Sequence, residues 1–192
     1  MRRFSLVCCL VLVGILVCGC SGRFTYEEFL REDVDLSAVT RIAVLPFRNY
    51  TKEEFVQERV RNVAITQLLA LGVADVVDRG IVDSVMAEEV IDPNSSVDLV
   101  NLKRLGQRLN VQAFLLGSID LIDNRQGAST AYPQLAVTLR LVDAQASLVI
   151  WQSSGRWTSE TVAGRIFGSA PTDSFHITLK LLGKMLKSLG NK

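Results

Sequence analysis

The positions of the cysteines constrain the fold of this chain more than any other feature. All four, Cys8, Cys9, Cys18 and Cys20, lie in the first twenty residues. The rest of the chain therefore cannot form an internal disulfide or a cysteine-based metal cluster, and it must fold on its hydrophobic core. With 192 residues, 48% of them apolar, the chain is long enough for one globular domain and too short for two full ones.

Residues 1–19 have the pattern of an export signal. A basic pair at positions 2 and 3 precedes an almost entirely apolar run from Leu6 to Val17. A transmembrane helix is the competing interpretation, but it requires about 20 apolar residues. Here the run passes directly into Cys18, Gly19 and Cys20, followed by polar residues. We therefore predict that residues 1–19 are a signal peptide.

The residues V-C-G-C at 17–20 resemble the lipobox of bacterial lipoproteins. In a lipobox, small residues precede a cysteine that is acylated and becomes the new N-terminus. The resemblance implies cleavage between Gly19 and Cys20, with palmitate-type acyl chains attached at Cys20. Ser21, rather than an aspartate, follows the cysteine, which implies a lipid anchor on the periplasmic face of the outer membrane. An ordinary secretory signal with an incidental cysteine is the alternative.

The mature chain is predicted to consist of a tether and one domain. Residues 20–39 mix aromatic and acidic side chains without sustained periodicity, so we expect the lipidated cysteine and a tether with at most one helical turn. At about 3.3 to 3.6 Å per residue, this tether would reach at most about 65 Å. Residues 40–192 are predicted to form a single periplasmic domain.

Apolar periodicity predicts the elements of this domain. The first strand lies in 40–47, and a helix follows it with a capping box formed by Thr51 and Glu54 and an end at Gly72. A short strand at 73–78, a helix at 80–91, a helix starting near Ser95 and Asp98, a strand at 111–122, a hairpin over 135–157 and a helix from about 173 complete the chain. The fold class is α/β, with a mixed sheet of about five strands packed with three to four helices and no transmembrane hairpins.

The residue types that catalysis or cofactor binding requires are not grouped in this sequence. The single histidine, His176, lies on a predicted helix without a cysteine nearby, and no glycine-rich loop follows an early strand. Of the carboxylate pairs, Glu88 and Glu89 are interpreted as solvated charges, and Asp120 is expected to pair with a neighbour such as Arg140. We therefore predict a protein that is not an enzyme and has no cofactor, no metal and no nucleotide ligand.

The charge balance argues against nucleic acid as a partner. The formal net charge is +1, and loss of the basic pair at positions 2 and 3 lowers the basic count from 21 to 19 against 20 acids, a net of −1. Such a balance provides no general attraction to phosphates. Two tryptophans, Trp151 and Trp157, share one face of the last strand by parity. We predict core packing for Trp151, whereas Trp157 with Tyr132 is either a partner patch or also packed under the final helix.

Three segments together resemble a known superfamily of envelope lipoproteins. They are R-I-A-V-L-P-F-R-N-Y-T at 41–51, A-F-L-L-G-S-I at 113–119 and L-A-V-T-L-R-L-V-D-A-Q-A-S-L-V-I-W at 135–151. The order is similar to that of the periplasmic domain shared by the curli-secretion lipoprotein CsgG, the penicillin-binding-protein activator LpoB and the exopolysaccharide lipoprotein PelC. The resemblance implies a non-enzymatic protein that acts by contact, either within a ring or on a cell-wall synthase.

The segments 124–132 and 158–172 argue against a curli-type membrane channel. A curli-type channel needs two membrane hairpins with strands of about 9 to 11 residues, but 124–132 is too short and 158–172 lacks alternation. The favoured hypothesis is a homo-oligomeric scaffold or accessory in secretion or exopolysaccharide export, attached to the membrane through its lipid. The alternative is a monomeric activator of a penicillin-binding-protein peptidoglycan synthase.

Overall fold

The structure, a computed structural model, describes residues 23–123, 134–158 and 174–190. Within these ranges the chain forms a seven-stranded sheet, four α-helices and one 3₁₀ turn. In chain order the elements are β1 (Arg23–Leu30), the 3₁₀ turn (Leu36–Ala38), β2 (Arg41–Val44), β3 (Arg48–Asn49), α1 (Val56–Leu71), β4 (Asp75–Val76), α2 (Arg79–Glu88), α3 (Leu99–Leu109), β5 (Ala113–Asp123), β6 (Gln134–Asp143), β7 (Val149–Thr158) and α4 (Ser174–Gly190).

The sheet is mixed, with strand order β1-β7-β6-β5-β2-β4, and β3 pairs with β5 beyond the end of β2. Strand β5 pairs in parallel with both β2 and β3, and β2 also pairs in parallel with β4. The pairs β5–β6, β6–β7 and β7–β1 are antiparallel. The predicted α/β class is therefore confirmed, including the central strand and the β6–β7 hairpin. The sheet exceeds the expected five strands because β1 and the two-residue β3 were not predicted.

Helices cover both faces of the sheet and form two hydrophobic cores. On one face, α1 and α4 pack on β2, β5, β6 and β7; on the other, α2 and α3 pack on β2, β5 and the end of β6. Successive residues of β2 alternate between them, with Ile42 and Val44 in the first core and Ala43 in the second. Burial on both faces explains why residues 42–45 are continuously apolar.

The first core depends on a close approach between α4 and β7. Gly155 lies on the face of β7 that α4 covers, and a Cβ atom there would lie 2.7 Å from Sδ of Met185. A larger residue would therefore require the side chains of Met185 and Leu181, or the helix itself, to shift. Along α4 the buried residues are Ile177, Thr178, Leu181, Leu182, Met185, Leu186 and Leu189. Phe175, which was predicted for the same stripe, is exposed because the first turn of the helix points it outward.

The predicted tether over 20–39 is wrong for residues 23–30, which form β1. This strand pairs antiparallel with β7, from Arg23 opposite Thr158 to Leu30 opposite Trp151. As an edge strand it leaves most of its side chains exposed, so its apolar residues do not alternate cleanly. Its stability comes from the backbone ladder and from Phe24, whose ring lies 4.6 Å below the ammonium group of Lys184.

The predicted capping box at Thr51 and Glu54 is also wrong. Thr51 instead donates its hydroxyl to Oδ1 of Asn49 at 2.7 Å and accepts from the amide of Glu53 at 3.3 Å, so it closes a turn before the helix. Helix α1 begins at Val56, after Phe55 in the left-handed region. Its predicted end at Gly72 is confirmed, with a φ of 62° that favours glycine.

Leu139→Asp tests the assignment of faces along β6. Leu139 is fully buried in the first core, so an unpaired carboxylate there should lower the free energy of unfolding by at least about 4 kcal/mol. Its neighbour Arg140 points to the opposite face and is exposed. Arg140→Asp should therefore leave the urea midpoint nearly unchanged, and equal losses in the two variants would contradict the assignment.

Val90→Gly tests for strain after α2. Val90 is 90% exposed and has a φ of 56°, which a β-branched residue rarely adopts. The amide of Ile91 nevertheless donates to the carbonyl of Met86 at 2.9 Å, so the turn is held closed. Glycine should raise the free energy of unfolding by about 1 kcal/mol. The control Ser84→Gly, inside α2, should lower it by about 0.5 kcal/mol, and a loss in both variants would show that Val90 is unstrained.

A polar groove on the open face of the sheet

Among the described residues, no helix covers the face of β6 and β7 opposite α4, apart from the end of β6 that α3 reaches. Thr138 and Arg140 on β6, with Gln152 and Ser154 on β7, point to this open face, and each is at least partly exposed. A groove of about 490 Å³ lies between the open face and the segment 93–97, which links α2 to α3. Its floor includes Leu116, Ser118, Thr138, Arg140 and Gln152, and its walls include Pro46, Arg48, Tyr50, Pro93, Ser95, Ser96 and Val97.

The strand register places the polar side chains of the groove in two rows. The first row runs across four neighbouring strands. Its members, in order from β3 to β7, are Arg48, Ser118, Thr138 and Ser154. In the second row, Arg140 lies between Leu116 and Gln152. Cross-strand neighbours on one face lie about 5 Å apart, so the groove floor presents hydroxyl, amide and guanidinium groups within a small area.

Among the described residues that line the groove, two arginines are the only charged ones. Arg48 donates to Oγ of Ser96 at 3.1 Å, and its guanidinium lies 5.7 Å from the centre of the Tyr50 ring. Arg140 is exposed. Across residues 23–123, 134–158 and 174–190, neither guanidinium forms an ion pair.

The expected pairing of Asp120 with Arg140 is wrong. A register shift between Ile119 and Leu121 interrupts the β5–β6 ladder at Asp120. The carboxylate accepts instead from the hydroxyls of Ser118 and Thr138, both at 2.9 Å. Arg140 consequently keeps its hydrogen-bonding capacity for the groove.

Ser147, in the turn between β6 and β7, contributes an unsatisfied group. Its φ is 56°, and its Oγ is buried without a hydrogen-bond partner while the residue lines the groove. A buried hydroxyl without a partner costs about 1 to 3 kcal/mol. Because this Oγ is buried, the cost falls on the folded turn, and the hydroxyl is not among the groups that the groove presents at its surface.

The segment that forms the outer wall is held by ion pairs between α2 and α3. Glu89 accepts from Arg104 at 2.8 Å and from Arg108 at 2.9 Å, and Glu88 also pairs with Arg108. The hydrogen bonds from Arg104 and then Arg108 lower the pKa of Glu89. The interpretation of Glu88 and Glu89 as merely solvated charges is therefore wrong, and the pairs fix the two ends of the wall segment.

A second polar cluster, around Arg61, has a structural role. Arg61 interrupts the apolar stripe of α1 and is 1% exposed. Its Nη1 donates to both oxygens of Asp83, at 2.7 and 3.1 Å, while Nε and Nη2 donate to the carbonyl of Val44. Burial lowers the pKa of Arg61, and the hydrogen bond to Asp83 opposes that shift. With these partners inside the protein, the side chain joins α1, β2 and α2.

Sequence reasoning missed the groove and placed its candidate residues elsewhere. Trp157 is 7% exposed and packs in the first core, so its ring does not form a surface patch here. Trp151 is also buried, as predicted, and its indole donates to Oγ of Ser188 at 3.2 Å. Tyr132, Gly19 and Cys20 lie outside the described residues. The feature of the sequence that would have located the groove is the pair of isolated arginines at 48 and 140.

Among the described residues, no three or more histidine, cysteine, aspartate or glutamate side chains are placed to hold a metal ion. None of the helices in the described part is both long and apolar enough to cross a membrane.

Comparison with known proteins identifies relatives of this fold. The PelC dodecamer from Paraburkholderia phytofirmans superimposes with a TM-score of 0.61, at 18% identity, over 88% of this chain and 99% of that one. Lipoprotein GNA1162 from Neisseria meningitidis has a TM-score of 0.56 and 15% identity, over 80% of this chain and 99% of that one. These likenesses show a shared fold. No curated protein matches the chain in sequence.

A family model confirms the resemblance to LpoB. The resemblance to the curli-secretion lipoprotein CsgG remains a prediction from the sequence motifs. The matching family model has the description peptidoglycan-synthase activator LpoB, and the match runs over residues 21–156, from before β1 almost to the end of β7. Since this match spans more than half of the chain, the protein belongs to the LpoB family.

Proposed function

We propose that the protein is a non-enzymatic, lipid-anchored accessory of cell-envelope assembly or export, acting as a homo-oligomeric scaffold on the periplasmic face of the outer membrane. Its family carries the name of a peptidoglycan-synthase activator, and one protein with the same fold is described as a dodecamer. Both roles depend on contact rather than on catalysis.

The start of β1 at Arg23 is the observation that carries this proposal. If Cys20 is the lipidated residue, three residue steps separate the lipid from the sheet. At about 3.6 Å per residue, that distance is at most about 11 Å. The domain would then lie close to the membrane surface, where a scaffold functions and where an activator that must reach an inner-membrane synthase is at a disadvantage.

One surface suited to association is the outer edge of β1. Strand β1 ends the sheet, and Tyr26, Phe29 and Leu30 are each about half exposed. An exposed edge strand of eight residues offers free backbone groups to another chain, and here it also carries three half-exposed apolar side chains among its polar ones. Covering it would bury both its side chains and its free backbone groups.

A second, different surface lies at the opposite edge of the sheet, beside β4. A hollow of about 400 Å³ lies between α1 and β4, and Leu69 in it is 57% exposed. Its lining combines apolar and polar residues: Ile65, Leu69, Val76 and Val77 with Asn62, Thr66, Asp78 and Arg79. Two unlike surfaces at opposite edges allow each copy to bind the next head to tail. Head-to-tail contacts form a ring when the rotation between successive copies closes, so the β1 edge and the β4 hollow together are compatible with a ring-forming scaffold.

A peptidoglycan-synthase activator is the second candidate function, and the description of the matching family model favours it. In that role the protein would be a monomer that binds and stimulates a glycosyltransferase or transpeptidase. The apolar edge of β1 would then contact the synthase rather than another copy.

The mass of residues 21–192 in solution separates these functions. We expect light scattering to show an oligomer of many subunits over a range of concentrations. Phe29→Glu and Leu69→Glu should each yield monomers, because each removes one of the two contact surfaces. An equimolar mixture of the two variants should yield dimers, since one intact contact remains between them. Val100→Glu, at an exposed position on α3, is the control.

The outcome that contradicts a scaffold is a wild-type chain that stays monomeric at every concentration. That result would favour the activator, and pull-downs against cell-wall synthases would follow. Dimers formed by either single variant alone would instead show that the contact is not head to tail.

Cys20→Ala tests the anchor separately. Without the thiol, acylation should be lost, and the protein should appear as an unprocessed precursor or in the soluble fraction. Mass spectrometry of the purified protein and fractionation of cell membranes measure both effects. Cys18→Ala is the matched control and should leave the lipid in place. Acylated, membrane-bound Cys20→Ala protein would contradict the assignment.

A further inference from the structure

We infer that the groove on the open sheet face binds a carboxylate-bearing glycan, such as a segment of a uronic-acid polysaccharide. This assignment is independent of the oligomeric state, because the groove lies on a sheet face and not at either edge.

The charge of the groove requires an anionic partner. Arg48 and Arg140 line it without a carboxylate among the lining residues, and in the described chain neither side chain has an ion-pair partner. A guanidinium group donates two parallel hydrogen bonds that match a carboxylate. The nearest acid in the register, Asp120, is already engaged by two hydroxyl groups.

The spacing of the arginines suits a polymer with repeated acids. Arg48 and Arg140 are separated by two strand spacings across the sheet and two residues along it, through Ser118 and Leu116. That separation corresponds to about 12 Å between their Cα atoms. Each guanidinium can then hold a different carboxylate of one extended chain.

The remaining lining fits sugar rings. Tyr50 is 62% exposed beside Arg48 and presents an apolar ring face at the rim of the groove. Ser118 contributes a hydroxyl between the two arginines, and Gln152 contributes an amide on the far side of Arg140. Aromatic faces and convergent polar side chains are the groups that bind a polyhydroxylated ligand.

An acidic peptide fits this site less well. Extended peptides bind sheets by adding to a free edge, where the backbone offers hydrogen bonds. The floor of the groove belongs to β5, β6 and β7, whose backbones are paired on both sides. Only side chains are therefore available here, which favours a ligand that carries its own hydroxyls.

The test is a calorimetric titration, in which a hexamer of galacturonic acid is added to the full-length protein in detergent. We expect saturable binding that weakens as salt is raised, because the contacts are charged and partly exposed. Arg48→Gln and Arg140→Gln should each weaken binding by about tenfold, which corresponds to loss of one charge-assisted hydrogen-bonded contact. Maltohexaose, which is neutral, should not bind measurably.

The matched control is Arg156→Gln. Arg156 lies on the same open face of β7 but outside the groove, where it donates to Gln134. Its removal changes the net charge by the same amount, so equal weakening by all three variants would mean nonspecific attraction and would overturn the assignment. Absence of binding to the uronic-acid hexamer, tighter binding of a poly-glutamate peptide, or an equal response to inorganic phosphate would overturn it as well.

Discussion

The parallel pairing of β2 with β5 is the interaction on which the rest of the structure depends. The paired residues run from Ile42 opposite Ala113 to Val44 opposite Leu115, and both strands are buried on both faces. Alternate residues of this pair belong to different cores, so each core supports the other through the same two backbones. Arg61 reinforces the junction because its guanidinium binds the carbonyl of Val44 where β2 ends.

The unequal cover of the sheet by helices creates the groove. Helix α4 covers β6 and β7 on one face along their length, whereas α3 reaches only the end of β6 on the other face, near Val142 and Ala144. The uncovered stretch retains polar side chains, as an antiparallel sheet with one solvated face does. The ion pairs of Glu89 with Arg104 and Arg108 then hold the connecting segment over this stretch, and a flat surface becomes a groove.

Periodicity in the sequence was sufficient to predict the elements that bury apolar side chains. The strand around 111–122, the hairpin and the helix ending at Gly72 were all predicted, because each has many apolar residues at regular spacing. Strand β1 was missed because an edge strand is held by backbone hydrogen bonds, which do not require an alternating pattern of apolar side chains in the sequence. The register shift at Asp120 is likewise a property of the ladder, so its true partners, Ser118 and Thr138, followed only from the structure.

The proposed association surfaces lie at the two edges of the sheet, whereas the groove lies on its open face. The predicted lipid site precedes β1, the half-exposed Tyr26, Phe29 and Leu30 lie along β1, and Gln152 of the neighbouring strand β7 belongs to the groove floor. A second copy bound along β1 would thus lie next to one end of the groove. It would not cover Arg140, which is on β6, the second strand from β1. In a ring, the grooves of successive copies would repeat at a fixed distance from the membrane. Many weak sites for one polymer would then act together, since binding at one groove raises the effective concentration of the chain at the next.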